Sequence, residues 1–134
     1  MNKTEAAKLL ALIKVAYPST YRDMDNATTM ATVNMWQSTF STVPYPIMEM
    51  AFDHFRRVSK FAPTIADMYA ELKGLHFRAL EEVFTTDDAE TKKIADKIMQ
   101  HTNQYKNGDD GGYSIASHLP KLQMLPERID DNGG

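Results

Sequence analysis

Apolar residues recur along this chain at steps of three and four, which is the spacing of one face of an α-helix. Thr4 is a candidate N-cap for the first apolar stripe and Pro18 ends it, which predicts a helix over about residues 4–17. This stripe consists of Leu9, Leu10, Ile13, Ala16 and Tyr17. A second helix is predicted to start from a cap at Asp25 or Asn26. One face of this helix contains Met30, Val33, Trp36, Gln37 and Phe40.

Prolines divide the middle of the chain. Pro44 ends the second predicted helix and Pro46 begins a third, because a first helical turn tolerates proline, whose missing N–H would have no intrahelical partner there. The predicted buried face of the third helix consists of Ile47, Met50, Ala51, His54, Phe55 and Val58. Its predicted exposed face consists of Glu49, Asp53, Arg56 and Arg57.

A fourth helix is predicted after Pro63, because Thr64 and Asp67 have the spacing of a capping box, with Asp in place of the usual Glu or Gln. Its apolar stripe consists of Ile65, Met68, Tyr69, Leu72 and Leu75. Gly74 leaves two alternatives open. The helix ends near this glycine or continues towards Phe84, since glycine costs about 1 kcal/mol in a helix interior without forbidding it.

A fifth helix is predicted from a capping pair at Asp87 and Glu90. Its apolar stripe consists of Ile94, Ala95, Ile98, Met99 and Tyr105. The sequence shows no internal repeat and no alternation typical of strands. It therefore predicts an all-α fold: a compact bundle of about five short helices over residues 1–106, followed by a flexible C-terminal tail over residues 107–134.

The predicted tail is acidic and contains one short apolar segment. Its first residues, NGDDGG, favour turns and linkers, and the chain closes on DDNGG. Four apolar side chains between these runs are candidate partner-binding residues: Ile115, Leu119, Leu122 and Leu125. Ser117 is a candidate cap for a helix too short to be stable alone in water. The segment is expected to fold on a partner or to pack back on the helical body.

The amino-acid composition limits the classes of protein to which this chain can belong. A length of 134 residues with 43% hydrophobic and 25% charged residues is typical of one globular domain. The absence of cysteine excludes disulfides, zinc ribbons and cysteine hydrolases. Lys8 and Lys14 interrupt the apolar N-terminal stretch, so it reads as an amphipathic helix and not a signal peptide. No uncharged run approaches the roughly 20 residues of a membrane span, and we expect a cytoplasmic protein with no membrane partner.

Charge is distributed unevenly along the chain. Residues 1–106 carry 13 basic and 13 acidic residues, and the tail carries two basic and five acidic residues. Strong binding to nucleic acid is therefore not expected, because such binding depends on a surplus of Lys and Arg. Arg56, Arg57 and Lys60 form a dense basic cluster. It is either a solvated helix end that complements the helix dipole or a contact with an acidic protein face or DNA.

The sequence contains no recognisable catalytic or metal-binding pattern. The four histidines, His54, His76, His101 and His118, do not have ligand spacing. GDDGG lacks the lysine and the preceding strand of a phosphate-binding loop. Trp36 and the nine methionines are interpreted as core residues. We therefore expect no enzyme activity, no cofactor and no metal.

One tract resembles a known family. Trp36 and Phe40, followed by PYPIMEMAFDHFRR and SKFAPTIADMY, are similar to the N-terminal helical domain of the phage replicative-helicase loader and inhibitor family. The resemblance covers about residues 1–75 and implies a non-enzymatic adaptor in the host cytoplasm. Such an adaptor binds the phage's hexameric DnaB-type helicase, restrains it and delivers it to an origin-bound initiator. Residues 107–134 would then engage the helicase, and the helical body would contribute the contact with the initiator or a second contact with the helicase. Arg56, Arg57 and Lys60 are the candidate partner-binding residues of the body.

Two other functions remain open from the residues alone. The basic cluster is compatible with a small DNA-binding module of replication initiation. A small helical protein with an apolar tail segment is also compatible with a structural phage protein, such as a head or tail chaperone.

Overall fold

The computed structural model describes residues 1–107, and these fold into five α-helices and a short 3₁₀ turn, with no strand among them. The elements are α1 (Lys3–Ala16), α2 (Asn26–Thr39), α3 (Tyr45–Val58), α4 (Ile65–Thr85), α5 (Ala89–Thr102) and the 3₁₀ turn (Asn103–Tyr105). The predicted all-α class is confirmed. The apolar tail residues Ile115, Leu119, Leu122 and Leu125 lie outside the described residues.

Local side chains decide where the helices begin. At α1 the cap is Asn2 and not Thr4, because the backbone N–H of Glu5 donates to Asn2 Oδ1 at 2.8 Å and the Asn2 N–H donates to Glu5 Oε1 at 2.9 Å. The expected capping box of α4 is confirmed, with the Thr64 and Asp67 side chains each accepting the other's backbone N–H.

The first residues of α2, α3 and α5 are likewise determined by local side chains. Asp25 caps α2 by accepting the N–H of Thr28 at 2.7 Å. At α5 the predicted pair at Asp87 and Glu90 is wrong, because the Asp88 side chain accepts the N–H of Thr91 at 2.9 Å and so becomes the cap. Pro46 lies in the first turn of α3, as expected from its missing donor.

The structure of α4 shows whether this helix ends at Gly74 or continues. α4 runs without interruption for 21 residues through this glycine. Its first half packs on α3, and α5 packs back along the helix. The second half of α4 and α5 therefore form a helical hairpin that extends from the core.

The core lies between α1, the end of α2, α3 and the first half of α4. Its fully buried large side chains are Leu9, Ile13, Phe40, Val43, Met48, Met68 and Leu72. A row of aromatic rings links α2 to the 3₁₀ turn, with centroid separations of 5.8 Å for Trp36 and Phe40, 5.4 Å for Phe40 and Tyr69, and 5.4 Å for Tyr69 and Tyr105. The 3₁₀ turn thus closes the core from the side of α5.

The predicted buried face of α3 is partly wrong. Met48 and Phe52 are buried, whereas Met50, His54 and Val58 are exposed. Met48 and Phe52 take these places in the core, and the imidazole of His54 remains at the surface, where its Nδ1 lies 2.8 Å from Glu71 Oε1. Met30 of α2 and Ile94 of α5 were also assigned to buried stripes and are exposed, because α2 and α5 each have fewer neighbours than a central helix.

The described part of the chain contains no helix that combines the length and the apolar character needed to cross a bilayer.

Candidate partner-binding surfaces

The end of α3 and the loop after it form a surface that combines positive charge with exposed apolar side chains. We call it the basic corner and define it as Arg56, Arg57, Val58, Lys60 and Phe61. Val58 is 70% exposed and Phe61 is 78% exposed. Three of these five residues are the basic cluster expected from the sequence, and the structure adds two apolar side chains to it.

Hydrogen bonds fix the loop that carries Phe61. The Tyr17 hydroxyl donates to the Ser59 carbonyl oxygen at 2.8 Å, and the Ser59 hydroxyl donates to the Phe61 carbonyl oxygen at 3.0 Å. The Phe61 N–H donates to Ser59 Oγ at 3.2 Å. Tyr17 also packs edge-on against the buried ring of Phe52, with 6.5 Å between centroids. Phe61 is therefore held out to solvent by an ordered backbone, which lowers the entropy cost of binding through it.

One carboxylate lies against both arginines of the basic corner. Arg56 Nη2 lies 2.7 Å from Asp53 Oδ1, and Arg57 Nη2 lies 3.0 Å from Asp53 Oδ2. All three side chains are about half exposed, and surface pairs of this kind contribute at most about 1 kcal/mol each. Asp53 thus orients two guanidinium groups without neutralising the corner, since two arginines and Lys60 face a single carboxylate.

A groove between α1 and α3 continues from the basic corner. Its volume is about 530 Å³. It is lined by Leu12, Pro46, Glu49, Met50, Phe52, Asp53 and Arg56. Met50 is 41% exposed, so at least this methionine is a surface residue and not the core residue expected from the sequence. A helical wheel that keeps His54 out of the core would have placed Met50 at the surface.

A second groove runs between α4 and α5. Its volume is about 490 Å³ and we call it the hairpin groove. It is lined by His76, Phe77, Leu80, Met99, Gln100, Asn103 and Lys106. Phe77 is 46% exposed, although its neighbour His76 is buried.

His76 connects the two helices of the hairpin. Its Nδ1 lies 3.0 Å from Thr102 Oγ1, and that hydroxyl donates its hydrogen to the Ile98 carbonyl oxygen at 2.8 Å. These hydrogen bonds join α4 to α5 at a buried position. Burial lowers the pKa of His76, the charge of Lys106 lowers it further, and a hydrogen bond to the backbone of Met99 acts in the opposite direction.

The structure describes three of the predicted site residues. Arg56, Arg57 and Lys60 lie at one corner of the described domain, and the four apolar residues of the tail lie outside the described residues. Among residues 1–107, no group of three or more His, Asp or Glu side chains is arranged to hold a metal ion.

Comparison with protein-family models gives one finding that decides the family. The model of the N-terminal domain of the helicase loader and inhibitor of phage SPP1 matches residues 1–69, which is more than half of the chain. The chain belongs to this phage helicase-loader family. A helicase is the general class of partner that membership implies. Comparisons with curated proteins and with solved structures gave no match.

The match to the loader family covers α1, α2, α3 and the first turn of α4. It includes the whole basic corner and the groove between α1 and α3. The second half of α4, α5 and the hairpin groove lie beyond it. The basic corner and the groove between α1 and α3 therefore lie within the matched domain, and the hairpin groove lies outside it.

Proposed function

We propose that this protein is a non-enzymatic adaptor of phage DNA replication. It binds a hexameric DnaB-type replicative helicase, restrains the helicase and delivers it to an initiator bound at the origin. The observation that carries the proposal is the match of residues 1–69 to the N-terminal domain of the loader family. The basic corner supports it, since an exposed aromatic residue on a fixed loop beside arginine is the composition of a protein-binding hot spot.

Two contacts share the binding in this proposal. The tail contributes the four apolar side chains Ile115, Leu119, Leu122 and Leu125, whose burial supplies roughly 6–12 kcal/mol. Ordering the backbone over the tail segment costs on the order of 11–22 kcal/mol before hydrogen bonds are formed. The tail alone should therefore bind weakly. The basic corner is the second contact, and several adaptors on one helicase ring make the binding multivalent.

The position of Asp53 favours a protein partner over DNA. A phosphate that approaches Arg56 or Arg57 also meets the carboxylate of Asp53, which lies 2.7–3.0 Å from both guanidinium groups. A protein surface can supply both an acid for the arginines and an apolar pocket for Phe61. DNA binding remains the rival function.

Co-purification with the cognate helicase, with and without nucleotide, tests the proposal. The affinity tag is placed on the helicase, which leaves both ends of this chain free. Phe61→Ser should weaken binding at least tenfold, which corresponds to about 1.4 kcal/mol. Phe84→Ser is the matched control, because Phe84 is 80% exposed on α4 and lies away from the basic corner.

The outcomes separate the two functions. An adaptor retains the helicase and shows little affinity for DNA. Binding to duplex or single-stranded DNA with a steep salt dependence, together with no helicase binding in any nucleotide state, would establish the DNA-binding function instead. Equal effects of Phe61→Ser and Phe84→Ser would remove the basic corner from the proposal and leave the tail as the proposed contact.

A further inference from the structure

The hairpin groove is an apolar surface without a partner among the described residues. In this part of the fold α4 is covered by α5 and the 3₁₀ turn, and α5 buries few side chains of its own. Phe77, Leu80 and Met99 line the groove, so its floor is mostly apolar. Surfaces of this kind at the edge of a domain are typical docking sites for a segment or a partner.

We propose that residues 115–125 of the same chain occupy the hairpin groove when no helicase is bound. The helicase then competes with the groove for this tail segment. The competition with the helicase rests on the proposed function. The docking itself rests on the properties of the groove and on the position at which the described chain ends.

The described chain ends beside the groove. Asn103 and Lys106 line it, and Asn107 is the last described residue. Ile115 lies eight positions after Asn107. A chain of this length spans on average about 16 Å, and α5, with 14 residues, is about 21 Å long. The tail segment therefore reaches the groove without any change in the described fold.

The lining of the hairpin groove differs in charge from that of two other grooves on the described surface. Among the described residues no carboxylate lines the hairpin groove, and Lys106 stands at its rim. The tail carries five acidic residues and two basic ones. Residues 115–125 themselves carry Lys121 and no acid, so these acidic residues flank the segment, and Asp109 and Asp110 follow shortly after Lys106. The groove between α1 and α3 suits them less, because Glu49, Asp53 and Arg56 give it a net negative lining. A smaller groove on the other side of the hairpin, with a volume of about 180 Å³, contains both Glu82 and Arg78.

Because the tail segment is covalently joined to the domain that carries the groove, even weak docking is enough to occupy the groove. A short flexible linker gives an effective concentration in the millimolar range, so even a millimolar intrinsic affinity fills a large part of the grooves. A tail segment that occupies the groove is not available to the helicase. The apparent helicase affinity therefore falls in proportion to the fraction of molecules whose tail is free. Releasing the tail from the groove should therefore strengthen helicase binding by about two- to tenfold.

Disulfide trapping tests the docking directly, because the chain contains no cysteine of its own. Gln100→Cys is paired with Leu122→Cys in the full chain. The control pairs Met50→Cys with the same Leu122→Cys, since Met50 lines the acidic groove between α1 and α3. We expect a disulfide within one chain, independent of protein concentration, for the Gln100 pair and a much slower one for the control. Equal rates, or disulfides that form mainly between chains, would overturn the docking.

Phe77→Glu tests the competition with helicase. The substitution places a charge in the groove, and the exposure of Phe77 makes it tolerable to the fold. For Phe77→Glu alone we expect a two- to tenfold gain in helicase affinity. When Phe77→Glu is combined with Gln100→Cys and Leu122→Cys, we expect the disulfide within one chain to be lost. Weaker helicase binding by Phe77→Glu would contradict the competition and make the groove a helicase contact. If no variant binds helicase, the proposed function fails, and the disulfide result still decides whether the tail docks.

Discussion

The amino group of Met1 is part of the core, and extending the chain by one residue before it should destabilise the fold. The Met1 ammonium donates to the carbonyl oxygens of Phe40 at 3.2 Å, Ser41 at 3.1 Å and Val43 at 2.6 Å. The side chains of Met1, Phe40 and Val43 are all buried. The start of α1 is thereby fastened to the connection between α2 and α3.

The expected loss follows from these bonds. A glycine placed before Met1 converts the ammonium into an amide with a single N–H, so at least two of the three carbonyl groups lose their donor. A hydrogen bond to a charged group contributes about 1.5–3 kcal/mol, which gives a loss of roughly 3–6 kcal/mol for two bonds. Domains of this size are stable by about 5–15 kcal/mol, so the change removes a large part of the total.

Urea unfolding measures the effect. Trp36 is the single tryptophan of the chain and is buried, so its fluorescence reports on the core. The reference chain is released from a cleavable fusion that leaves Met1 as its first residue, and the variant carries one additional glycine before Met1. A chain with one additional C-terminal glycine is the matched control. A loss of less than about 1 kcal/mol for the N-terminal glycine would refute the role of the ammonium.

Two further predictions concern the hairpin. Burial lowers the pKa of His76 in the folded chain. As pH falls, His76 therefore takes up a proton in the unfolded chain before it does so in the folded chain, and the free energy of unfolding should decrease below about pH 6.5. This drop should be smaller in His76→Gln, and an equal dependence of the urea midpoint on pH in the two chains would contradict it. Gly74→Ala should stabilise α4 by about 0.5–1 kcal/mol in urea unfolding, since a Cβ there meets only the flexible end of Arg78, at 3.1 Å. Destabilisation would show that Arg78 cannot move.

The sequence predicted the number and order of the helices because each has its own start signal and apolar stripe. Helix ends were harder to predict, because adjacent residues compete to cap the same helix. Asp87 and Asp88 are both good caps, and the choice depends on which carboxylate reaches the N–H of Thr91. The continuation of α4 through Gly74 was open for a related reason. Packing against α5 stabilises the helix there, and a single-helix pattern does not contain that contact.

The candidate surfaces were predictable to a smaller extent. A basic cluster is visible in the sequence because its residues are neighbours. The exposure of Phe61 depends instead on Tyr17 and Ser59, and the Tyr17 hydroxyl reaches Ser59 across 42 positions of the chain. Periodicity placed Val58 in the core, but α3 ends at this residue and its side chain extends past the last packed turn. Patterns within one helix carry no information on such contacts between distant segments.

The family match and the packing of this chain end at different places, and the difference matters for any experiment on the domain. The match stops at Tyr69, one turn into α4. The ring of Tyr69 lies 5.4 Å from Phe40 on one side and 5.4 Å from Tyr105 on the other. Leu72 belongs to the same core and is fully buried. A cut after residue 69 therefore removes buried side chains that α1, α2 and α3 pack against. The proposed helicase binding must be measured on the full chain, because a truncated domain would confound loss of a contact with loss of the core.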